Sequence, residues 1–517
     1  MKSLIIHGHF YQPPRENPWT GVVDVEPTAA PFHDWNERVT AECYQPNAAV
    51  EVLNGDQKKV VNNYSRISFD FGPTLLSWLE REASETYAGI LAADAESVGR
   101  HGGHGNAIAQ AYSHPILPLC NRRDLITQVR WGLEDFRHRF QRDAESMWLP
   151  ETACNDDVLG VLIEHGLQFV ILAPHQAGRV RPLKGESSSG VTSDLAEWKL
   201  VENGILDVTV VYRYFHRDGS NRSIAIFFYD QALAGAIAFD NALTSSGALV
   251  DRIGAARPGA GALVNVATDG ESYGHHHKFG DMCLAYALEV EAPLQGYRVT
   301  NYGEYLEQHA PQFEVELNNG TQEQGSSWSC VHGVGRWNSD CGCSTGAEAH
   351  WNQKWRGPLR TALDFLRDEA AAEFEAVRGE LFIDPWAARD SSIELVLNHE
   401  TAREAFVHQH APAQLTGEQE TRALAFLEMQ RNTLLMYASC GWFFNDISGI
   451  EPVQILKYAA RVIDLMSQLG LPSRRNDFLE LLAEAKSNRT EMGNGADIYR
   501  QLVEPLLDHS GRVLVTR

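Results

Sequence analysis

Ala262-Leu263-Val264-Asn265-Val266-Ala267-Thr268-Asp269-Gly270-Glu271 is the stretch on which the fold turns. It is a short apolar run that ends abruptly in charge. Such a run reads as a buried strand, and strands buried on both faces belong to parallel sheets covered by helices. The pattern recurs upstream. Ser3–His7 is a short apolar run ending in polar residues. Arg66–Phe71 is similar, and Gly72-Pro73 then open a helix through Glu82. Asn121–Gln141 is amphipathic at helical spacing. Ser146–Leu149 is a strand end, Asn155–His165 a helix with Asn155 as N-cap, and Gln168–Ala173 a strand. This βαβα order predicts an α/β fold, a parallel barrel with function at the C-terminal strand ends.

Gly178–Gly190 is rich in Gly, Ser and basic residues and reads as a loop. Leu206–Tyr214 and Ser223–Phe228 are strand-like and suggest a β excursion from the barrel. From about Glu348 the pattern turns helical. Trp355–Ala371, Glu418–Ser439, Pro452–Leu469 and Asp477–Lys486 each carry apolar residues at a period of about 3.6. The expected organisation is a barrel over residues 1–318, a Gly/Cys-rich loop region over 319–347 that lines the site, and an α-helical C-terminal domain over 348–517.

Composition bounds the partners. The chain has 517 residues, more than one ordinary core holds, and is 44% apolar, which excludes disorder. A formal net charge of −24 disfavours nucleic acid and anionic membranes, because both repel such a surface. It does not disfavour a neutral ligand such as a sugar. Twelve Trp and sixteen Tyr fit a carbohydrate binder, although most aromatics in any chain serve the core. Met1–His7 runs straight into a strand, with no signal-peptide pattern, and no apolar run approaches the roughly 20 residues of a membrane span. A cytoplasmic protein with mostly reduced cysteines is expected.

Two carboxylates stand out. Glu151 lies in Trp148-Leu-Pro-Glu151-Thr-Ala, and Asp269 in Thr268-Asp269-Gly-Glu271-Ser-Tyr-Gly274, followed by His275, His276 and His277. Carboxylates at the ends of different strands are what a sugar-cleaving site needs. One attacks or stabilises the anomeric carbon, and the other protonates the departing oxygen. The plainer readings are an acid favouring the helix that follows and an ordinary Asp-Gly turn. His7-Gly-His9-Phe-Tyr11-Gln12-Pro13 puts two histidines on one face of the first strand, where they could bind a metal or hold hydroxyls. His101-Gly-Gly-His104 and Ser113-His114-Pro115 add candidates, or are plain loop turns. Cys330-Val-His332 and Cys341-Gly-Cys343 could bind zinc, although no Cys-x-x-Cys knuckle is present. Phosphate-loop, dinucleotide and serine-elbow glycine motifs are absent. The rival class is a metal-dependent hydrolase with His7, His9, Asp269 and His275–His277 as ligands. A decayed sugar-binding protein is disfavoured because both carboxylates are present.

Taken together, these motifs resemble the family 57 glycoside hydrolases, which act on α-glucans, in the subgroup with a C-terminal helical domain of unassigned function. His7-Gly-His9-Phe-Tyr11-Gln12-Pro13 resembles that family's first motif, with one extra aromatic. Trp148-Leu-Pro-Glu151 resembles the nucleophile motif, and Thr268-Asp269-Gly-Glu271-Ser-Tyr-Gly274 the motif holding the general acid/base. Ser113-His114-Pro-Ile-Leu-Pro-Leu119 is similar to a further motif near the site. Ser327 through Trp337 and Gln430 through Asp446 look like the subgroup's own signatures. The resemblance implies a (β/α)7-type barrel, a retaining mechanism and no cofactor or metal. Glu151 would be the nucleophile and Asp269 the acid/base. His7, His9 and His114 would hold sugar hydroxyls, and Trp148, Trp328 and Trp337 would supply stacking faces. Gln12, Glu271, His275, His332 and Arg336 complete the expected substrate contacts.

Overall fold

The structure, a computed structural model, describes residues 2–54, 57–183, 197–256, 262–346, 348–398 and 400–509. The chain divides into two compact units. The first takes Met1–Gln12, Glu26–Gln110 and Phe136–Ser329, and the second Pro13–Val25, Ala111–Asp135 and Cys330–Arg517.

The first unit is built on seven strands: β1 (Lys2–Phe10), β2 (Ser68–Phe71), β3 (Ala109–Gln110), β4 (Met147–Trp148), β5 (Phe169–Leu172), β6 (Ser223–Phe228) and β7 (Leu263–Asp269). β1 pairs in parallel with β7, from Ser3 opposite Leu263 to His9 opposite Asp269. Its other edge pairs in parallel with β2, where His9 lies opposite Asp70. β2 meets β3 through a parallel bridge between Phe69 and Ala107, and β4 meets β5 through Ser146 and Phe169. β3 pairs with β4, and β5 with β6, all in parallel. The ring closes between β6 and β7. There the Asp230 N–H donates to Asn265 O (2.8 Å), and Asn265 Nδ2 donates to Phe228 O (3.2 Å). The result is a (β/α)7 barrel. Ile5, Trp148, Phe169, Ile171, Phe227 and Ala267 fill a buried apolar cluster with Tyr302. Burying each large side chain contributes about 1.5–3 kcal/mol.

Local signals set the helices between the strands. Pro73 opens the helix Pro73–Glu82. Asn155 Oδ1 caps Asp156–Glu164 by accepting from the Val158 N–H. Of the two stretches expected to leave the barrel, Ser223–Phe228 is instead barrel strand β6, and the excursion starts beside it. Tyr212–Phe215, Phe313–Leu317, Ala177–Pro182 and Lys199–Leu200 extend the sheet beyond β6.

Ala177–Pro182 corrects the loop reading of Gly178–Gly190, whose residues 184–190 lie outside the described residues. The basic residues there alternate. Arg179 pairs with Glu316 and Arg181 with Glu314 on the antiparallel neighbour. Gly178 gives that neighbour room, since a Cβ there would meet Leu317 O at 2.7 Å.

The second unit is mainly helical, with Arg356–Ala376, Gly417–Leu435, Ile450–Gln468 and Arg475–Leu482 as main helices. Two segments from the chain's first third belong to it. Trp19 Nε1 donates to Asp464 (3.0 Å), and Arg389 Nη1 donates to Asp124 (2.7 Å). No helix of the described residues is long and apolar enough to cross a membrane.

Candidate active site

The C-terminal end of β1 organises the site. His7 and His9 point to the same face and both bond a buried carboxylate, Asp70. His7 Nε2 lies 3.1 Å from Oδ1, and His9 Nδ1 lies 2.9 Å from Oδ2. Ser68 Oγ is 3.0 Å from His7 Nδ1, so neutral His7 accepts from Ser68 and donates to Asp70. Burial disfavours charge throughout this group. It pushes His9 down to about 4, lowers His7, and raises Asp70 to about 7 against the His7 hydrogen bond. Trp148 stacks on His9, with ring centroids 4.9 Å apart. The indole of Trp328 meets Trp148 edge-on at 5.1 Å.

Glu151 follows β4 in a left-handed backbone conformation, φ 59° and ψ 21°, and Thr152 has φ 49°. Each left-handed non-glycine residue costs roughly 1–2 kcal/mol. The turn persists because its surroundings over-determine it. The Thr152 N–H donates to Leu149 O (2.7 Å), the Trp328 N–H donates to Glu151 O (3.0 Å), and Thr152 Oγ1 donates to Gln176 Oε1 (2.8 Å). One carboxylate oxygen is held twice: Trp328 Nε1 donates to Oε2 at 2.9 Å, and Ser329 Oγ donates to it at 2.6 Å. Oε1 takes no hydrogen bond among the described residues.

Asp269 ends β7 beside His9. Its carboxyl reaches solvent, yet protein crowds it. That enclosure raises its pKa to about 6, His9 opposes the rise, and the charges of Glu151 and Asp70 add to it. The turn Gly270–Ser272 follows. Gly270 is there for space rather than for a tight backbone. A Cβ would meet the Phe10 ring at 2.3 Å.

Glu271 is buried and is pushed by burial up to about 8, with Asp269 adding to the shift. Its Oε1 accepts from Tyr44 Oη (2.6 Å) and from the Tyr11 N–H (3.0 Å). Gln12 in turn hydrogen-bonds Tyr44. The folded chain thus keeps a proton on Glu271 that an unfolded Glu releases near its ordinary pKa of about 4.3. Between these values the native state binds more protons, so this group lowers stability as pH rises. Glu271→Gln needs no proton. Relative to it, wild-type stability is expected to fall by about 2–4 kcal/mol between about pH 5 and 8. Denaturant titrations with parallel pH slopes for the two proteins would rule this out.

Several expected contacts are displaced. His7 and Trp148 are fully buried, so they support the site and offer no face to a sugar. His275 pairs with Glu42, His277 Nε2 donates to Ala238 O (3.1 Å), and His101 and His104 bond Glu304 and Glu145, each at 2.7 Å. His114, His332, Arg336 and Trp337 belong to the second unit. There His114 is buried against Ser439 Oγ (2.7 Å), and Trp337 is buried with Nε1 donating to Ser439 O (3.2 Å). Their expected sugar contacts are corrected accordingly. Cys330, His332, Cys341 and Cys343 do come together.

The structure also adds Asp70, Tyr229 and Ser329. Tyr229 follows β6, packs edge-on against Trp328 at 6.3 Å, and feels the Asp269 charge. The signal for Asp70 was an acid inside the apolar run Ile67–Phe71.

The family model described as glycosyl hydrolase family 57 matches residues 17–318, beginning after the His7–Pro13 motif. A second model, Domain of unknown function (DUF3536), matches residues 351–516. No curated protein sequence matches the chain. Solved structures share the fold at low identity. An exo-type maltose-forming amylase from a Pyrococcus species is 14% identical, with a TM-score of 0.67, over 93% of this chain and 82% of that one. A family 57-type branching enzyme from Pyrococcus horikoshii is 14% identical, with a TM-score of 0.54, over 100% of this chain and 98% of that one. A 4-α-glucanotransferase from Thermococcus litoralis is 14% identical, with a TM-score of 0.51, over 90% of this chain and 60% of that one. The family match disfavours the metal-dependent hydrolase alternative. With a family model spanning more than half its length and a seven-stranded parallel barrel beneath it, the chain belongs to glycosyl hydrolase family 57.

Proposed function

We propose that the protein is a retaining glycosidase or transglycosidase acting on α-glucans. Glu151 is its nucleophile and Asp269 its general acid/base. The observation that carries this reading is the placement of the two carboxyls at strand ends, Glu151 just after β4 and Asp269 at the end of β7 opposite His9. Enclosure by the protein first, and then the charges of Glu151 and Asp70, favour a proton on Asp269. That is the division of labour a retaining site requires: one carboxylate ionised to attack, the other protonated to donate.

In the first step Glu151 Oε1 attacks the anomeric carbon while Asp269 protonates the departing glycosidic oxygen. A β-linked glycosyl-enzyme forms, and a shorter glucan leaves. In the second step ionised Asp269 takes a proton from water or from a sugar hydroxyl. That oxygen then displaces Glu151 with restored α configuration. Trp328 Nε1 and Ser329 Oγ fix Oε2, so that Oε1 presents one geometry. Trp328 and Gln12, which are partly exposed, are read as sugar contacts. His7, His9, Trp148 and Glu271 position the carboxyls.

The α-glucan substrate class draws on the activities named for the amylase, branching enzyme and glucanotransferase that share the fold. We read residues 1–318 as the catalytic domain, 319–347 as a loop region, and 348–517 as an accessory helical domain. A cytoplasmic setting fits the eight cysteines, all free thiols.

Product analysis with maltoheptaose and amylose tests the reading. Shorter sugars alone mean hydrolysis, a ladder of shorter and longer sugars means transfer, and new α-1,6 linkages mean branching. The first-formed reducing ends should be α by proton NMR. β-Anomers would overturn retention, and two unchanged sugars would overturn the substrate class.

A further inference from the structure

Outside the carboxylate site, four metal-ligating side chains meet in the second unit. We propose that Cys330, His332, Cys341 and Cys343 form a closed, tetrahedral zinc site that fixes the loop between them. Their donor atoms all lie within 4.8 Å of one another. Cys330 Sγ is 3.9 Å from Cys341 Sγ and 3.8 Å from Cys343 Sγ, and Cys343 Sγ is 3.5 Å from His332 Nδ1. A tetrahedron with Zn–S of about 2.3 Å and Zn–N of about 2.0–2.1 Å has S···S edges of about 3.8 Å and S···N edges of about 3.6 Å. Three of the six edges therefore already match such a tetrahedron, and the other three lie within 4.8 Å. A disulfide, at about 2.05 Å, matches none of these separations.

The surroundings call for a negative group. Arg336 and Arg356 are buried beside the thiols. Arg336 Nε and Nη1 and Arg356 Nε are buried without hydrogen-bond partners. The remaining guanidinium donors of Arg356 go to the carbonyls of Cys343, Phe443 and Phe444. Among the described residues no carboxylate pairs with either arginine. Zinc with three thiolates and a neutral imidazole carries a single net negative charge, which offsets one of these two cations.

Local backbone supports the same reading. Gly333 and Gly342 have φ of 80° and 81°, turning the chain just after His332 and between Cys341 and Cys343. The N–H groups of His332 and Arg336 point to Cys330 Sγ, and that of Cys343 points to Cys341 Sγ. Such N–H···S bonds orient thiolate ligands. Gly335 packs against the ligands' backs, where a Cβ would meet that of Cys341 at 3.1 Å. Between Cys330 and Trp355 the only helical turn among the described residues is Gly335–Trp337, so regular secondary structure contributes little to holding this segment. Four protein ligands leave no open position. The zinc is structural, and its oxygen-free donor set excludes magnesium and calcium.

The test uses the full chain without a histidine tag, purified under reducing conditions from zinc-supplemented medium. Elemental analysis should find about one zinc per chain in the wild type and in Cys440→Ser, a thiol control outside the cluster. Zinc should be lost in Cys341→Ser and Cys343→Ser. If those variants do not fold, wild type refilled with cobalt should show the visible bands of a tetrahedral site and thiolate charge transfer. A chelator should then expose three further thiols to titration. Absence of both stoichiometric zinc and the cobalt spectrum would overturn the proposal, as would zinc retained in both folded serine variants.

Discussion

Glu151→Gln is expected to abolish glucan turnover, a loss of about 10⁴-fold or more in kcat, with the fold intact. The amide is isosteric, and its oxygen can still accept from Trp328 Nε1 and Ser329 Oγ. What disappears is the charge that makes the covalent intermediate. Sodium azide should restore cleavage of an aryl α-maltoside and yield the β-glycosyl azide, because a single displacement inverts the anomeric carbon. An α-glycosyl azide, or residual activity within tenfold of wild type, would move the nucleophile elsewhere. The strained turn that carries Glu151 makes this the sharper of the two carboxylate tests. Glu151 is held at φ 59° by the Trp328 N–H on its carbonyl and by the bonds Thr152 donates to Leu149 O and Gln176 Oε1, a left-handed placement that carries a stability cost.

Asp269→Asn should slow natural glucans by about 10²–10⁴-fold, and aryl glycosides with good leaving groups far less, since those need little protonation. The pH profile carries the sign. A general acid works only while protonated, so wild-type kcat/KM should fall as pH rises through about 6, the value to which enclosure and the neighbouring Glu151 and Asp70 raise this carboxyl. In Asp269→Asn that alkaline limb should be missing with aryl substrates. If the limb persists near the same pH in the variant, another group supplies the proton. Glu271, pushed up to about 8 and two residues away, is then the first alternative, and its limb would lie at a higher pH.

What the sequence determined by itself was local. Most barrel strands declared themselves as apolar runs ending in polar residues, although the two-residue strand Ala109–Gln110 did not and Ser223–Phe228 read as an excursion; Pro73 and Asn155 marked their helix starts, and the two carboxylates stood at strand ends. These follow from periodicity, capping and backbone chemistry, which act over a few residues and survive in the linear order. Tertiary structure alone decided the rest. The partners that set proton affinities are distant in the chain. Asp70 lies 63 residues from His7, and Glu271 lies 260 from Tyr11. An acid inside Ile67–Phe71 looks like an anomaly until β1 pairs with β2 and brings His9 opposite it. Gly178–Pro182 read as a loop because its alternating arginines find their glutamates only across the sheet. Pro13–Val25 and Ala111–Asp135 joined the helical unit for the same reason: periodicity names a buried face without naming what buries it. The thiols and imidazole of 330–343 lacked a familiar spacing, and only the folded loop, turning at Gly333 and Gly342, brings their donor atoms within 4.8 Å of one another. Burial, charge and coordination depend on distances between atoms, and those distances exist only once the chain has closed on itself.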